Sequence, residues 1–274
     1  MSRLDPDAIR GQLADSVAGR LAAFEAFDEI ESTNSYLMIS AAPSPGRVRV
    51  ALTDNQVAGR GRHGRVWHSP AGTGLALSIG YTFVTQPTNL AALTLAIGVG
   101  AVEALASVGA PGVQLKWPND LIASGGKIGG ILTETQSLPG NAIKVVSGLG
   151  LNLELDPDAA SQLAADRAGH VVDLATIVDT LPCRNQLAAR LIDSLCEIFV
   201  GFEAAGFTPY VERWARSDWL HGRQLTVDTP QASVSGRGAG IAEDGALLVR
   251  TALGEVRRIT SGTIVLSGEP GESA

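Results

Sequence analysis

The pattern of predicted elements changes near residue 220, and this change constrains the fold more than any other feature of the sequence. Before it, strand-like and helix-like segments alternate, and residues 184–205 carry an apolar stripe at helical spacing from Leu187 to Phe202. After it, five short strand candidates are separated by turns such as Asp244-Gly245. The sequence therefore predicts a first part with both helices and strands, residues 1–220, and a small β-barrel over residues 221–274.

Two helices in the first part can be predicted from their boundaries. Asp5-Pro6 is a typical helix start, and Ile9, Leu13 and Val17 follow at four-residue spacing, which predicts one helix with an apolar face. A long helix is predicted from a cap at Thr88 to about Val108. Its stretch from Leu90 to Val102 is short for a membrane span and runs into Glu103, so we expect a buried helix.

The charge balance limits the function. The chain of 274 residues has 21 Lys and Arg against 28 Asp and Glu, a net charge of −7, which argues against a general nucleic-acid-binding surface. Its two cysteines cannot form a disulfide framework, and its four histidines lack metal-ligand spacing. With no apolar signal segment at the N-terminus, the expectation is a reduced, cytoplasmic protein without a membrane partner or a bound structural metal.

A local basic segment stands out in this acidic chain. Residues 59–65 read Gly-Arg-Gly-Arg-His-Gly-Arg. Glycine lets the backbone approach a ligand, and arginine offers a planar fork that matches phosphate or carboxylate. The segment formally fits G-x-G-x-x-G, but it neither follows a strand directly nor opens a helix, so a dinucleotide fingerprint is rejected. An anion-binding loop and a flexible surface turn both remain open on this segment alone.

Three further motifs are ambiguous when each is taken alone. Lys116-Trp117-Pro118-Asn119-Asp120 predicts a sharp turn after a strand. Residues 124–130 place Lys127 at the start of a strand among glycines without forming a Walker A loop. Gly148 and Gly150 lie inside a predicted strand, which indicates either a bulge or a ligand against the backbone.

Taken in order along the chain, these motifs, together with Glu31-Ser32-Thr33-Asn34 and the Gln56 that precedes the arginine loop, resemble those of the biotin–protein ligases. The resemblance covers roughly residues 20–266. It implies an α+β fold: a mixed β-sheet with flanking helices, like the catalytic domain of class II aminoacyl-tRNA synthetases, followed by an SH3-like barrel. It also implies that biotin is activated by ATP and Mg²⁺ to biotinyl-5′-AMP and transferred to a lysine of a biotin carboxyl carrier protein.

The resemblance also assigns roles to residues of this chain. Arg62 and Lys127 would be catalytic, because they would neutralise the carboxylate and phosphate as the two anions are joined. The biotin-binding residues would be Ser32, Thr33, Asn34, Gln56, Arg60, Gly61, Arg62, Lys127, Gly148 and Gly150. The nucleotide-binding residues would be Arg62, Arg65, Lys116, Asn119, Asp120 and Asn152.

The sequence departs from the family pattern in two places. Only 31 residues precede Ser32, too few for the N-terminal DNA-binding domain of some members, so repression is not expected. Some members place a tryptophan over the adenine in the segment that matches residues 166–174, where this chain has His170 and no tryptophan. A lipoate or octanoyl transferase on the related fold and a non-enzymatic biotin or nucleotide sensor remain alternatives, and a homodimer is left open.

Overall fold

The computed structural model describes residues 3–68, 70–156 and 170–266. Within these ranges the strands are β1 (Leu21–Phe27), β2 (Val48–Thr53), β3 (Gly74–Phe83), β4 (Gln114–Lys116), β5 (Asp120–Ala123), β6 (Gly126–Ser137), β7 (Ile143–Asn152), β8 (Gln224–Asp228), β9 (Ser233–Ile241), β10 (Leu247–Arg250), β11 (Val256–Ile259) and β12 (Thr263–Leu266). The α-helices are α1 (Pro6–Arg10), α2 (Asp15–Ala18), α3 (Thr33–Ile39), α4 (Leu93–Ser107), α5 (Arg184–Ala205) and α6 (Val211–Ala215).

A seven-stranded mixed sheet organises the first part of the chain. Its strand order is β1-β2-β3-β7-β6-β5-β4, with β1 and β2 parallel and every other pair antiparallel. The central strands β3 and β7 are buried on both faces, because α4 and α5 cover one face and α3 covers part of the other. This arrangement confirms the predicted mixed sheet with flanking helices.

Helix α4 is a core helix, as its apolar sequence predicts. Leu90–Ser107 is long and apolar enough to span a membrane by length and composition, but 67% of it is buried inside the protein. It packs closely on α5: a Cβ added to Gly100 would lie 2.7 Å from the Ile198 side chain, and the Ser194 hydroxyl donates to the Gly100 carbonyl (2.8 Å). The small residue allows the two helix backbones to approach.

The second sheet is antiparallel, with strand order β11-β10-β9-β8-β12. Its buried residues, among them Leu225 and Leu247, belong to the same hydrophobic cluster as the first sheet. The junction is hydrogen-bonded as well, since the Trp117 indole donates to the Gly245 carbonyl (3.0 Å). The small antiparallel unit is confirmed, while its likeness to SH3 domains and the boundary at residues 220/221 stay predictions.

Three predictions for secondary structure were wrong in detail. The N-terminal helix is two short helices, because α1 ends at Arg10 and α2 begins only at Asp15, although Ile9, Leu13 and Val17 are all buried as predicted. Thr88 does not cap α4, which begins at Leu93 after a 3₁₀ turn. Finally, Asp120 opens strand β5, a strand that was not predicted.

Candidate functional site

The site is built first from the N-terminal turn of α3. Ser32 is its N-cap, with its hydroxyl accepting from the backbone N–H of Ser35 (3.3 Å). Thr33 and Asn34 follow in the first turn and are buried, with 3% and 4% of their surface exposed. Gln56, from the loop after β2, reaches this turn and accepts from the backbone N–H of Thr33 (2.9 Å). Four residues predicted to bind biotin therefore lie together.

A buried hydrogen-bond network fixes the orientation of these groups. The Ser78 hydroxyl, on β3, donates to Asn34 Oδ1 (2.7 Å) and lies 2.7 Å from the Thr33 hydroxyl. Asn34 Nδ2 donates to the Leu132 carbonyl (3.1 Å) and to Glu134 Oε2 (3.0 Å), both on β6. A polar network satisfied in this way is rigid and presents its hydrogen-bonding groups in one arrangement. Sequence reasoning missed Ser78, although it is a hydroxyl within a mostly apolar strand.

The glycines of β7 make room for protein side chains. The register of β7 against β3 and β6 is continuous, so no bulge occurs at Gly148 or Gly150. A Cβ added to Gly148 would lie 2.2 Å from Asn34 Oδ1, and one added to Gly150 would lie 2.4 Å from the Trp67 ring. The bulge interpretation is therefore wrong, and the close approach involves Asn34 and Trp67.

The arginine loop is a small folded hairpin. The N–H of Gly61 donates to the Arg65 carbonyl (2.7 Å), and that of Trp67 donates to the Gly59 carbonyl (2.9 Å). His63 and Gly64 at its tip both have positive φ angles, 55° and 74°. This internal bonding argues against an unstructured surface turn.

The arginines of this hairpin extend toward polar groups on neighbouring strands. Arg60 pairs with Glu134 (2.8 Å) while half-exposed. Arg62 donates to Asn119 Oδ1 (3.1 Å). Burial lowers the pKa of Arg62, the positive charge of Arg65 lowers it further, and Asp120 opposes the shift. Arg62 is thus a partly desolvated cation with a second cation close by.

Asn119 and Asp120, adjacent in the chain, hold the two residues predicted to be catalytic. Asn119 is fixed to β6, because its side-chain amide donates to the Ile131 carbonyl (2.9 Å), and its Oδ1 accepts from Arg62. Asp120 accepts from Lys127 Nζ at 2.5 Å, in an ion pair whose two side chains are each about a quarter exposed. Asn119, in the turn after β4, and Asp120, the first residue of β5, thereby hold a guanidinium and an ammonium through consecutive residues, a pair suited to two anionic groups.

Trp67 completes the cation cluster and was not predicted from the sequence. It is buried, with 8% of its surface exposed, and Lys127 Nζ lies 5.9 Å from its ring centroid. Its ring also faces the backbone of Gly130 and Gly150. The sequence signal that could have indicated Trp67 is its position, since an aromatic residue follows the last arginine of the loop by two residues.

Two residues predicted to bind nucleotide lie outside this cluster. Lys116 Nζ is 5.2 Å from the Trp219 ring centroid, and Arg223 approaches the same ring at 4.6 Å, so Lys116 contributes to the junction with the second sheet. Asn152 is buried and donates to the Val172 carbonyl (3.0 Å). Arg65 is exposed at the rim. Their roles in nucleotide binding stay predictions.

His170 borders the site through its backbone. Its carbonyl accepts from the N–H of Lys127 (2.8 Å), and a Cβ on Gly126 would lie 2.7 Å from its ring. Residues 166–169 of the segment expected to meet the adenine lie outside the described residues. Among the described residues, no three His, Cys, Asp or Glu side chains are grouped to hold a metal ion.

Two family models match the chain. The model described as the biotin/lipoate A/B protein ligase family matches residues 26–152, and the model described as the biotin protein ligase C terminal domain matches residues 220–267. The first match contains the whole cluster described above. The second contains the whole second sheet through β12.

Curated relatives and solved structures agree with this match. The bifunctional ligase/repressor BirA of Salmonella typhimurium is 35% identical over 254 residues, which cover 90% of this chain and 73% of the relative. The biotin–[acetyl-CoA-carboxylase] ligase of Paracoccus denitrificans is 30% identical over 235 residues, covering 80% of this chain and 91% of the relative. A biotin protein ligase from Aquifex aeolicus, solved in complex with biotin and ATP, shares the fold with a TM-score of 0.72 at 23% identity, covering 90% of this chain and all of that one.

Proposed function

This chain belongs to the biotin/lipoate A/B protein ligase family, and from that premise we propose that it is a biotin–protein ligase. It activates biotin with ATP to biotinyl-5′-AMP and then transfers biotin to a lysine of a carrier protein. The observation that carries this proposal is the cation pair, Arg62 and Lys127, anchored by Asn119 and Asp120 beside the buried network of Thr33, Asn34 and Ser78.

The match over residues 220–267 favours biotin over lipoate as the substrate. The first family model covers both biotin and lipoate enzymes, whereas the second is described for biotin protein ligases alone. The relatives that span most of the chain are likewise named as biotin ligases or as a ligase/repressor. Repression, which belongs to the names of some relatives, is not part of the proposal.

In the first step, a carboxylate oxygen of biotin attacks the α-phosphorus of ATP and pyrophosphate leaves. Two anions must come together, so the main obstacle is electrostatic. Arg62 can donate to the oxygens of the carboxylate or the phosphate with a planar fork, and Lys127 can place a compact charge between them. No side-chain nucleophile is needed, because the reaction joins two bound substrates held in position.

The pairing of Lys127 with Asp120 has a consequence for this step. An ammonium held by a carboxylate is positioned before substrate arrives. When an anion binds, Lys127 has further hydrogens to donate without leaving Asp120, because an ammonium has three. Arg62, held through the neutral Asn119, keeps its full charge available for the anion.

In the second step, the amine of the carrier lysine attacks the acyl carbon of the mixed anhydride. An amide forms, AMP leaves, and the amine loses a proton. The same cations stabilise the phosphate as it departs. We propose that the carrier is a biotin carboxyl carrier protein, that Mg²⁺ enters as part of the MgATP substrate, and that the reaction occurs in the cytoplasm.

Recognition of biotin falls to the neutral network. Biotin has an apolar ring system and tail with one polar ureido group, so its pocket requires a few oriented hydrogen-bonding groups among apolar walls. Thr33, Asn34 and Ser78 are such groups, and Asn34 and the ring of Trp67 lie over Gly148 and Gly150, which share one face of β7. Their fixed orientation favours a ligand that matches them.

The test is a labelling reaction. The protein is mixed with ATP, Mg²⁺, biotin and an apo carrier domain, and the carrier mass is measured. The proposal expects one added biotin, which depends on ATP and is lost in Arg62→Ala. Labelling with lipoate at a comparable rate would favour the transferase alternative, and biotin binding without adenylate or labelling would favour the sensor.

A further inference from the structure

Lys144 is a buried lysine far from the reacting groups. It lies on β7 with 1% of its surface exposed. Its ammonium donates to the Met38 carbonyl (2.9 Å) and the Ser40 carbonyl (2.7 Å). Burial lowers the pKa of Lys144, and the positive charge of Arg49 lowers it further. The described contacts of this ammonium are therefore with the backbone at the end of α3.

A second cation, Arg49 on β2, also reaches the backbone just after the carboxyl end of α3. Arg49 donates to the Ala41 carbonyl (3.4 Å) and to Glu25 Oε1 (3.2 Å). The last carbonyls of a helix lack intrahelical partners and carry the negative end of its dipole. Lys144 and Arg49 thus supply donors and positive charge where α3 ends.

The opposite end of α3 carries the proposed biotin-binding groups. Asn34 packs against Gly148, four residues after Lys144 on β7, and hydrogen-bonds to β6. The helix has only seven residues, about 10 Å of rise at 1.5 Å per residue, so about two turns connect its two ends. β7 therefore holds α3 at both ends, with the close Asn34–Gly148 contact at one end and the ammonium of Lys144 at the other.

We propose that Lys144 is a positioning residue for biotin recognition: it anchors the carboxyl end of α3 and so fixes Thr33 and Asn34 at the amino end. This inference rests on the proposed function. A buried ammonium costs desolvation that an apolar side chain of similar volume would avoid. Methionine would pack between the same strands but would leave two carbonyls without donors.

The experiment compares Lys144→Met with Lys144→Arg and the wild type. For Lys144→Met we expect the Kd for biotin, measured by calorimetry, and the KM for biotin to rise by about tenfold, the effect of losing a hydrogen bond from a charged group. The KM for ATP should change less than twofold, because Arg62 and Lys127 are held by another turn. Lys144→Arg keeps a charged donor and should recover part of the affinity.

Tyr81→Phe is the matched control. Tyr81 lies on the adjacent strand β3, stacks on Phe199 (5.3 Å between ring centroids) and hydrogen-bonds to Glu203 of α5, on the face opposite α3. This variant should lower the melting temperature and leave the Kd for biotin unchanged. If Lys144→Met lowers only the melting temperature, or raises the KM values for biotin and ATP equally, the proposal is overturned.

Two further measurements keep the outcomes distinct. Should Lys144→Met fail to fold, Lys144→Gln is used instead, because it retains a donor without the charge. Relative to the wild type, hydrogen exchange in that variant must then speed up more in residues 33–39 than in α5. An equal change in the exchange rates of the two helices relative to the wild type would contradict the proposal. A wild-type protein that neither binds biotin nor forms an adenylate would instead defeat the proposed function itself.

Discussion

The site combines two regions that differ in charge and in exposure to solvent. The network of Thr33, Asn34 and Ser78 is neutral, buried and internally satisfied. The cluster of Arg62 and Lys127 is charged and partly open to solvent, and each cation is held by one neighbour from a single turn. The hydroxyl and amide oxygens of the first region can each accept a further hydrogen bond from a ligand, while the second holds an excess of positive charge that only an anion can balance.

With the proposed roles, this difference predicts that selectivity and catalysis depend on different parts of the sheet. An oriented neutral network discriminates by shape and by hydrogen-bond pattern, because a mismatched ligand desolvates its polar groups without pairing with them. A held cation pair acts on charge that develops during reaction, and it is indifferent to the rest of the substrate. Substitutions in the neutral network should therefore alter the KM for biotin, and substitutions in the cation cluster should alter the rate of adenylate formation.

The largest expected effect concerns the neutral region. Lipoate has no ureido group, so binding it would leave the polar groups of the network without the partner they are oriented for. We expect the kcat/KM of adenylate formation to favour biotin over lipoate by up to ~10⁴. Pyrophosphate release measured with each acid checks this ratio, and a ratio near one would assign selectivity elsewhere.

The next effect concerns Arg62. Loss of one preorganised charged donor in a partly desolvated site costs ~3–4 kcal/mol, or about 10²–10³ in rate. Arg62→Ala should slow adenylate formation by that factor and loosen the bound adenylate, and the ratio between biotin and lipoate should stay as in the wild type. A normal rate of pyrophosphate release in this variant would remove Arg62 from the reaction.

Lys127→Ala should cost about 10²-fold in carrier labelling with little loss of stability. Its ion pair with Asp120 is a quarter exposed, and pairs of this kind contribute about 1 kcal/mol or less. Lys127→Arg should recover the rate only in part, since a wider planar head cannot occupy the same point. Melting temperature and labelling are measured on one preparation, and lost labelling with a large melting shift would make the role of Lys127 structural.

The smallest effect tests the close contact under the neutral network. Gly148→Ala would place a methyl group 2.2 Å from Asn34 Oδ1, which forces Asn34 aside and costs ~1–3 kcal/mol of stability. We expect the KM for biotin to rise about tenfold at an unchanged KM for ATP. Gly140→Ala, at an open turn, is a control for the glycine change itself, since it should lower stability without moving either KM.

Much of the sheet was predictable because the strands of the core are apolar and bounded by turn residues. The apolar segments 48–53, 75–83 and 143–153 predict strands from the sequence, and β2, β3 and β7 occupy these ranges to within one residue. The N-terminal helix was not predictable in this way, because Ile9, Leu13 and Val17 keep helical spacing across a break at Gly11. Burial of all three explains the pattern, and two short helices can satisfy it as well as one.

The sequence predicted most of the residues that belong to the candidate site, but not which of their side chains contact one another. The resemblance brought Arg62, Lys127, Asn119 and Asp120 together, yet which side chain holds which depends on the hairpin β4–β5, whose second strand was missed. Ser78 and Trp67 belong to segments that also have a purely structural explanation. Only the long-range contacts across β6 and β7 distinguish their part in the site.

The indole of Trp117 hydrogen-bonds to Gly245 just before the turn that carries Asn119 and Asp120. Gly245 has a φ of 85°, and a Cβ there would lie 2.8 Å from that of Ala92 on the helical turn before α4. The turn of the second sheet is thus seated against the scaffold that positions both cations. A second sheet exchanged into this chain must therefore bring a turn that fits this tryptophan, because a poor fit would shift the residues that hold Arg62 and Lys127.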